Sequence, residues 1–355
     1  MKILMPYKPD GGFEVGQDKV TGGIEKFITD VHNNFPDIVH VKLPIGWNKI
    51  DGKNRKQIML EAIAKHKPDI IFLNSIELAS GMIRYEIPIV SVFHIGVQRG
   101  ITLLSSTPQL KKLTDAGHHV YFVSEHQHNW WRTESKRLKC EFGDIKGYIN
   151  PSYFESHDYS FPEQEYDVGT IGRCVILKKP FLAHEKSVNN MSSLVITMRC
   201  TDPESVEYKY YQKNTDWEAP QTTVWNLPHD QVMTTIAKAR TYCSTCTDES
   251  WGITALEALG HGVPIVLLCD KSMLHASEVI PADPSHYAKV SVKCTPEEFK
   301  EAVDSLKGLD RQEIARATRE KHSLDNWKKS IEDMFEVRAN DKNMHNLSNF
   351  FKKKC

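Results

Sequence analysis

The feature that most constrains this chain is a pattern that runs through it twice. A short apolar run is followed by a polar or glycine-rich turn, and then by apolar residues at helical spacing. The first series opens with Lys2–Tyr7, continues through a loop with glycines at 11, 12, 16, 22 and 23, and reaches Ile24, Phe27, Ile28 and Val31. Ile38–Leu43, Asp69–Asn74, Ile87–His94 and Val120–Ser124 read as further strands, with helices expected at Arg55–His66 and Leu110–Ala116. The runs 69–74 and 87–94 are largely apolar rather than alternating, as in a parallel sheet covered on both faces. A second series follows. Strands are expected at Val168–Ile171, Leu194–Met198, Thr222–Trp225, Thr241–Ser244 and Pro264–Leu268. Helices are expected at Asp230–Ala239, Ile253–Leu259, Pro296–Leu306 and Trp327–Phe335. Strand–helix alternation of this kind builds doubly wound α/β domains.

At 355 residues the chain exceeds one ordinary core and fits two. Gly147–Pro162, with its prolines and polar residues, marks the boundary. The expected division is 1–150, 151–340 and a segment 341–355 that crosses back to the first domain. Met344–Phe351 are the residues expected to pack there. A net charge of −1 does not announce a nucleic-acid partner but leaves room for a local basic face. No run approaches the roughly 20 apolar residues that cross a bilayer, and Met1–Pro6 does not read as a signal peptide. The expectation is a cytoplasmic protein, peripheral to a membrane at most. Cys243 and Cys246 form a CxxC without a second pair at zinc spacing, and read as ordinary thiols. The lysines of Phe350–Cys355 read as a solvated end.

The residues that suggest chemistry lie at strand ends. In Glu249-Ser-Trp-Gly-Ile-Thr-Ala-Leu-Glu257, followed by Gly262-Val-Pro264 and an apolar strand, Gly252 opens a helix. The amides of Gly252, Ile253 and Thr254 then point at an anion, as free helix N-termini do. Glu249 at the strand exit and Glu257 on the helix offer carboxylate oxygens to hydroxyls at the two ends of a diphosphate. Taken alone, these carboxylates are equally those of an ordinary helix start and a solvated helix face. Gly169-Thr-Ile-Gly172-Arg173, with Lys178 beyond it, follows another strand. Alone, these two cations fit incidental basic residues at a strand end as well as an anion site, where Arg offers phosphate a planar fork and Lys a point charge. Gly22-Gly23 opens the first helix, where backbone approach without a Cβ clash needs glycine.

Together these motifs resemble retaining glycosyltransferases of the two-Rossmann GT-B type, specifically the large family 4 with its E-x7-E signature. The resemblance implies a GT-B fold with two domains facing one cleft. It puts Glu249 against the donor sugar, Glu257 against the ribose, and Arg173 and Lys178 on the diphosphate. Ser250 and Trp251 join the donor site, Trp251 standing where the family often has Phe. Gly22 and Gly23 match the family's Gly-Gly loop, and His94 its histidine near the donor sugar, though a strand-end histidine bonded to backbone fits equally. Asn326-Trp327 resembles the start of the family's late helix. A nucleotide-sugar donor is implied, UDP-linked on family frequency, with no further cofactor. No Asp-x-Asp motif is present, so no catalytic metal is expected.

The acceptor is less defined. Glu125 ends a strand as His94 does. Trp130, Arg132, Lys136 and Lys139 interleave aromatic and cationic residues, three cations falling on one helical face. Such a face suits a phosphate backbone with an aromatic for an extruded base; it is equally a solvated helix over buried Trp. His126 and His128 have no further ligands and read as non-metal. The N-terminal run Lys2–Gly16 resembles phage enzymes that transfer glucose or arabinose to 5-hydroxymethylcytosine in duplex DNA. That resemblance implies a double-stranded DNA partner and host cytoplasm. A bacterial surface-glycan transferase and a non-catalytic nucleotide-sugar-binding module are the competing readings.

Overall fold

The computed structural model describes residues 1–8, 15, 23–74, 78, 87–94, 101–155, 161–172, 182–187, 191–197, 204, 209, 221–225, 227–245, 251–269, 279, 281 and 283–340. The chain divides into two compact units. One comprises Met1–Ser152 with the described residues from Asp325 onward; the other is Tyr153–Leu324.

The first unit is built on strands β1 (Ile3–Tyr7), β2 (Ile38–Lys42), β3 (Ile70–Leu73), β4 (Ile89–Phe93), β5 (His119–Phe122) and β6 (Gly147–Tyr148). They lie in the order β2-β1-β3-β4-β5-β6, all parallel. β1, β3, β4 and β5 are buried along their whole length, which explains their unbroken apolar runs. The helices are α1 (Gly23–Asn34), α2 (Gly52–His66), α3 (Ile101–Asp115) and α4 (Glu125–Arg137). Asp51 caps α2 by accepting from Lys53 and Asn54 amides, and Ser124 caps α4 by accepting from Gln127. Leu4, Trp47, Ile71, Phe93, Phe122 and Trp131 lie in one buried cluster.

The second unit repeats the plan. β7 (Tyr166–Ile171), β8 (Ser193–Thr197), β9 (Gln221–Trp225), β10 (Ala239–Ser244), β11 (Ile265–Cys269) and β12 (Tyr287–Ser291) form a parallel sheet ordered β12-β11-β10-β7-β8-β9. Its helices are α5 (Leu182–Lys186), α6 (His229–Ile236), α7 (Ile253–Gly260), α8 (Pro296–Asp304) and α9 (Arg311–Lys321). Both units are thus Rossmann-like doubly wound α/β domains, as expected from the alternation.

The structure corrects several boundaries. α3 begins at Ile101, not Leu110, and accommodates Pro108 inside it. β12, half-exposed at a sheet edge, and α9, a strongly polar helix capped by Asp310, carry too little apolar pattern to stand out. The second unit closes at Leu324 rather than at 340. α10 (Leu324–Asn340) begins there and packs with the first unit. Trp327 meets Phe27 and Phe35, and Phe335 meets Phe72 edge-on at 5.3 Å. The return therefore runs through this helix. Met344–Phe351, and all of 341–355, lie outside the described residues. Among the described residues no helix is long and apolar enough to cross a membrane.

Candidate functional site

In the second unit the strand order reverses at the adjacent pair β10 and β7. In an open parallel sheet the crevice outside the strands' carboxyl ends at such a reversal is where ligands bind. β7 ends there at Ile171, and the next residue, Gly172, donates its amide to Ile196 at 3.1 Å. β10 ends beside it at Ser244, and α7 follows. Arg173, Lys178, Glu249 and Ser250 belong to these two connections and lie outside the described residues. Gly169 is required by packing: a Cβ there would stand 2.6 Å from Ile236 Cδ1 and 2.8 Å from the Ala239 Cβ.

The start of α7 is described in detail. Gly252 has φ +96°, a left-handed conformation that suits glycine alone. Gly252 brings no side chain to cap the helix, and among the described residues its first backbone bond runs from Leu256 to Gly252. The amides of Ile253 and Thr254 precede that bond and point out of the helix end, as the anion reading needs. The Thr254 hydroxyl is 2.8 Å from that of Tyr242 on β10. Glu257 is half-buried one turn on, sharing a face with Thr254 and His261. Trp251 is only 5% exposed and meets His322 edge-on at 6.0 Å, so most of its ring faces protein.

Beyond α7 the chain is stitched by an arginine that carries no motif. Arg311 donates to the carbonyls of Ala237, Pro162, His261 and Gly262, at 2.8 to 3.3 Å, and lies over the Phe161 ring. It gathers the carboxyl ends of α6 and α7, where a cation is electrostatically favoured.

In the first unit, Gly23 is the first residue of α1; Gly22 is outside the described residues. His94 directly follows β4, its ring 4.8 Å from that of Phe27. Burial pushes the imidazole down to about 4, so it is neutral at pH 7. Its Nε2 is buried and has no hydrogen-bond partner among the described residues. A buried, unpaired ring nitrogen is costly unless something completes it. Glu125 is the exposed first residue of α4. His94 and Glu125 thus follow neighbouring strand ends, and one residue the sequence reading missed ties those ends together. Gln127 accepts from the Val123 amide and donates to the Phe93 carbonyl, both at 3.0 Å, and is fully buried. Polarity in a strand-to-helix junction was its only signal.

The proposed acceptor set is not brought together. Trp130 is half-buried against the core cluster, beside the fully buried Trp131. Arg132, Lys136 and Lys139 are exposed. α4 runs back from the carboxyl edge of the sheet, so Lys136 lies roughly 16 Å along the axis from Glu125 at 1.5 Å per residue. Lys139 lies beyond the helix, in left-handed conformation. These lysines face the amino edge of the sheet, away from His94 and Glu125.

Residues 159–321 match the family model described as glycosyl transferases group 1. The match falls within the second unit and spans less than half of the chain. No curated protein matches the chain. Among solved structures, the chain resembles Anabaena HepE in complex with UDP and glucose. The identity is 12% and the TM-score 0.68, over 95% of this chain and 100% of that one. It resembles sucrose-phosphate synthase from Thermosynechococcus elongatus at 12% identity and TM-score 0.69, over 95% and 98%. It also resembles the lipopolysaccharide outer core galactosyltransferase WaaB at 11% identity and TM-score 0.65, over 95% and 100%. These likenesses establish the fold class, which is GT-B.

Proposed function

We propose that this protein is a retaining, metal-independent glycosyltransferase that moves a sugar from a UDP-sugar to an acceptor hydroxyl. The observation that carries the reading is the glycine-opened helix at the strand reversal of a unit matching glycosyl transferases group 1. The first-turn amides of such a helix suit a diphosphate. In this reading Arg173 and Lys178 neutralise the charge on the departing diphosphate. Glu249 holds the sugar, Glu257 the ribose, and Gly22 and Gly23 permit close approach of backbone. Ser250, Gly252, Ile253 and Thr254 complete the donor site. Trp251, largely enclosed by protein, shapes the site rather than stacking on donor. His94, neutral, gives or accepts a hydrogen bond at the sugar. The acceptor oxygen attacks carbon as the sugar–phosphate bond breaks, and the leaving phosphate oxygen takes the proton.

For the acceptor we propose 5-hydroxymethylcytosine in duplex DNA, receiving glucose or arabinose, on the resemblance of Lys2–Gly16 to phage enzymes. A surface-glycan acceptor is the second reading. One of the similar structures is by name a lipopolysaccharide galactosyltransferase, which is the observation in its favour. Labelled UDP-sugars incubated with hydroxymethylated duplex, plain duplex and glycan acceptors decide the matter. Transfer to the hydroxymethylated duplex alone, with α-linked product from an α-linked donor, is expected. Arg173→Ala and Glu249→Ala should each abolish it. UDP-sugar binding without turnover on any acceptor would leave a binding module instead, and an inverted product would remove the retaining assignment.

A further inference from the structure

The first unit has a surface that the donor chemistry does not use, at the carboxyl edge of its sheet. Between the end of β2 and the second turn of α2, residues 42–56 carry Lys42, Lys49, Lys53, Arg55 and Lys56 against a single carboxylate, Asp51. The whole chain is nearly neutral, so this is a local concentration of charge. All four lysines are exposed. Lys49, Lys53 and Arg55 form no ion pair among the described residues, and Arg55 Nε is buried without a hydrogen-bond partner. Three of the five cations sit in the first five residues of α2, and the first turn holds no acid. Cations are disfavoured at that end, where the helix dipole is already positive. The arrangement weakens the helix and concentrates positive potential outside it.

An apolar finger stands in the middle of this charge. Ile45 is 85% exposed, between Leu43 and Trp47, which are both buried. The finger is held, not loose. Leu43 donates its amide to Tyr7, Lys49 donates to Gly46 at 2.7 Å, and Gly46 turns the chain at φ +75°. The same edge bears His94 at the end of β4. β1 and β3 lie between β2 and β4, which puts the two strands roughly 14 Å apart at 4.8 Å per strand. That is close to the roughly 12 Å width of a B-DNA major groove.

We infer that residues 42–56 are a docking surface for the phosphodiester backbone of duplex DNA, with Ile45 as an apolar contact against the sugar or base edges. The inference rests on the DNA-acceptor reading and gives it a surface. Lysines and arginine neutralise successive phosphates, and apolar side chains at such surfaces wedge against base steps. An anionic bilayer fits less well. One apolar side chain at the tip, with Met59 and Ala62 of α2 buried and Leu60 its one exposed large apolar side chain, is far short of an amphipathic membrane helix.

The test is anisotropy of a short labelled duplex with the full chain, across a salt series. Lys49→Ala/Lys53→Ala should weaken binding roughly tenfold and reduce the slope of log K against log salt by about two, one per lost cation. Ile45→Ser should weaken binding and leave the slope unchanged. Lys65→Ala/Lys112→Ala, at the opposite edge of the sheet, should bind as the parent does. UDP binding is measured in parallel. If UDP binds but the duplex does not, or if the Lys49/Lys53 variant binds DNA as tightly as the parent, the docking surface is wrong while the donor reading stands. If the variant loses phosphatidylglycerol vesicles in place of DNA, the surface is a membrane contact and the inference is overturned. If UDP does not bind, the donor reading fails, and the duplex result then judges the surface on its own.

Discussion

Two polar side chains of the first unit, half-buried His94 and fully buried Gln127, carry predictions that do not depend on substrate. Burial holds His94 at about 4, against 6.5 for a free imidazole. As pH falls below 6.5 the unfolded chain takes the proton and the native chain does not, so stability drops between pH 6.5 and 4 and is constant above. The shift corresponds to about 3 kcal/mol across that window. His94→Gln should therefore lose less of its thermal midpoint between pH 7 and 5 than the parent, and equal losses would show that His94 is not the buried neutral group. His40 is held at about 4 as well, by burial and by His32, and continues to contribute in the variant. Gln127→Leu leaves the Val123 amide and the Phe93 carbonyl unpaired in the core, at a cost on the order of 3 kcal/mol. At neutral pH Gln127→Glu should not rescue it, because an ionised carboxylate cannot donate to Phe93 and protonating it there costs free energy; urea unfolding of both variants at pH 7 decides. Neither role was legible from residue type. Spacing pointed to His94 through a resemblance, and nothing in the sequence distinguishes Gln127 from a surface glutamine.

At the scale of elements, α7 is fixed at its far end more than its sequence suggests. Gly260, inside the helix, would place a Cβ 2.2 Å from the Phe154 ring. Phe154 lies under Arg319, whose Nε donates to the Gly260 carbonyl. Alanine should add about 1 kcal/mol of helix propensity, but overpacking against a pinned ring costs about 1–3 kcal/mol or more. The clash wins, and Gly260→Ala should lower the unfolding midpoint of the second unit. Arg311→Met removes the donor to four carbonyls at the ends of α6 and α7. At about 1 kcal/mol or more per bond the loss should reach several kcal/mol. Arg311→Lys should recover little, since one ammonium cannot span the positions a planar fork reaches. Differential scanning fluorimetry of the three variants, with a midpoint unchanged in any of them, would sink the corresponding claim. The pattern of strands and helices was readable wherever apolar residues repeat, as in β3, β4 and α7. It was unreadable where tertiary contacts do the holding. α9 looks too polar to fold until Arg311, Ile314, Ala315 and Arg319 are seen on its inner face.

For the molecule as a whole, two doubly wound domains follow from the repeated alternation. The ownership of the last helix does not, because Trp327–Phe335 shows only that a helix exists and not what it covers. Trp327, Ile331, Met334 and Phe335 are all buried, and the aromatic partners of Trp327 and Phe335 are Phe27, Phe35 and Phe72 of the first unit. Burying a side chain of this size is worth roughly 1.5–3 kcal/mol, so the four contribute about 6–12 kcal/mol. That equals the whole stability of a typical domain, about 5–15 kcal/mol. A chain ending at Leu324 should therefore lose the first unit and keep the second, whose own core of Val168, Cys243, Val266 and Phe299 does not include α10. Limited proteolysis of the shortened chain should leave a resistant fragment beginning near Tyr153, and the fragment should still bind UDP if the donor reading is right. Protection of residues 1–152 in that chain would show instead that the first unit is complete without its returning helix.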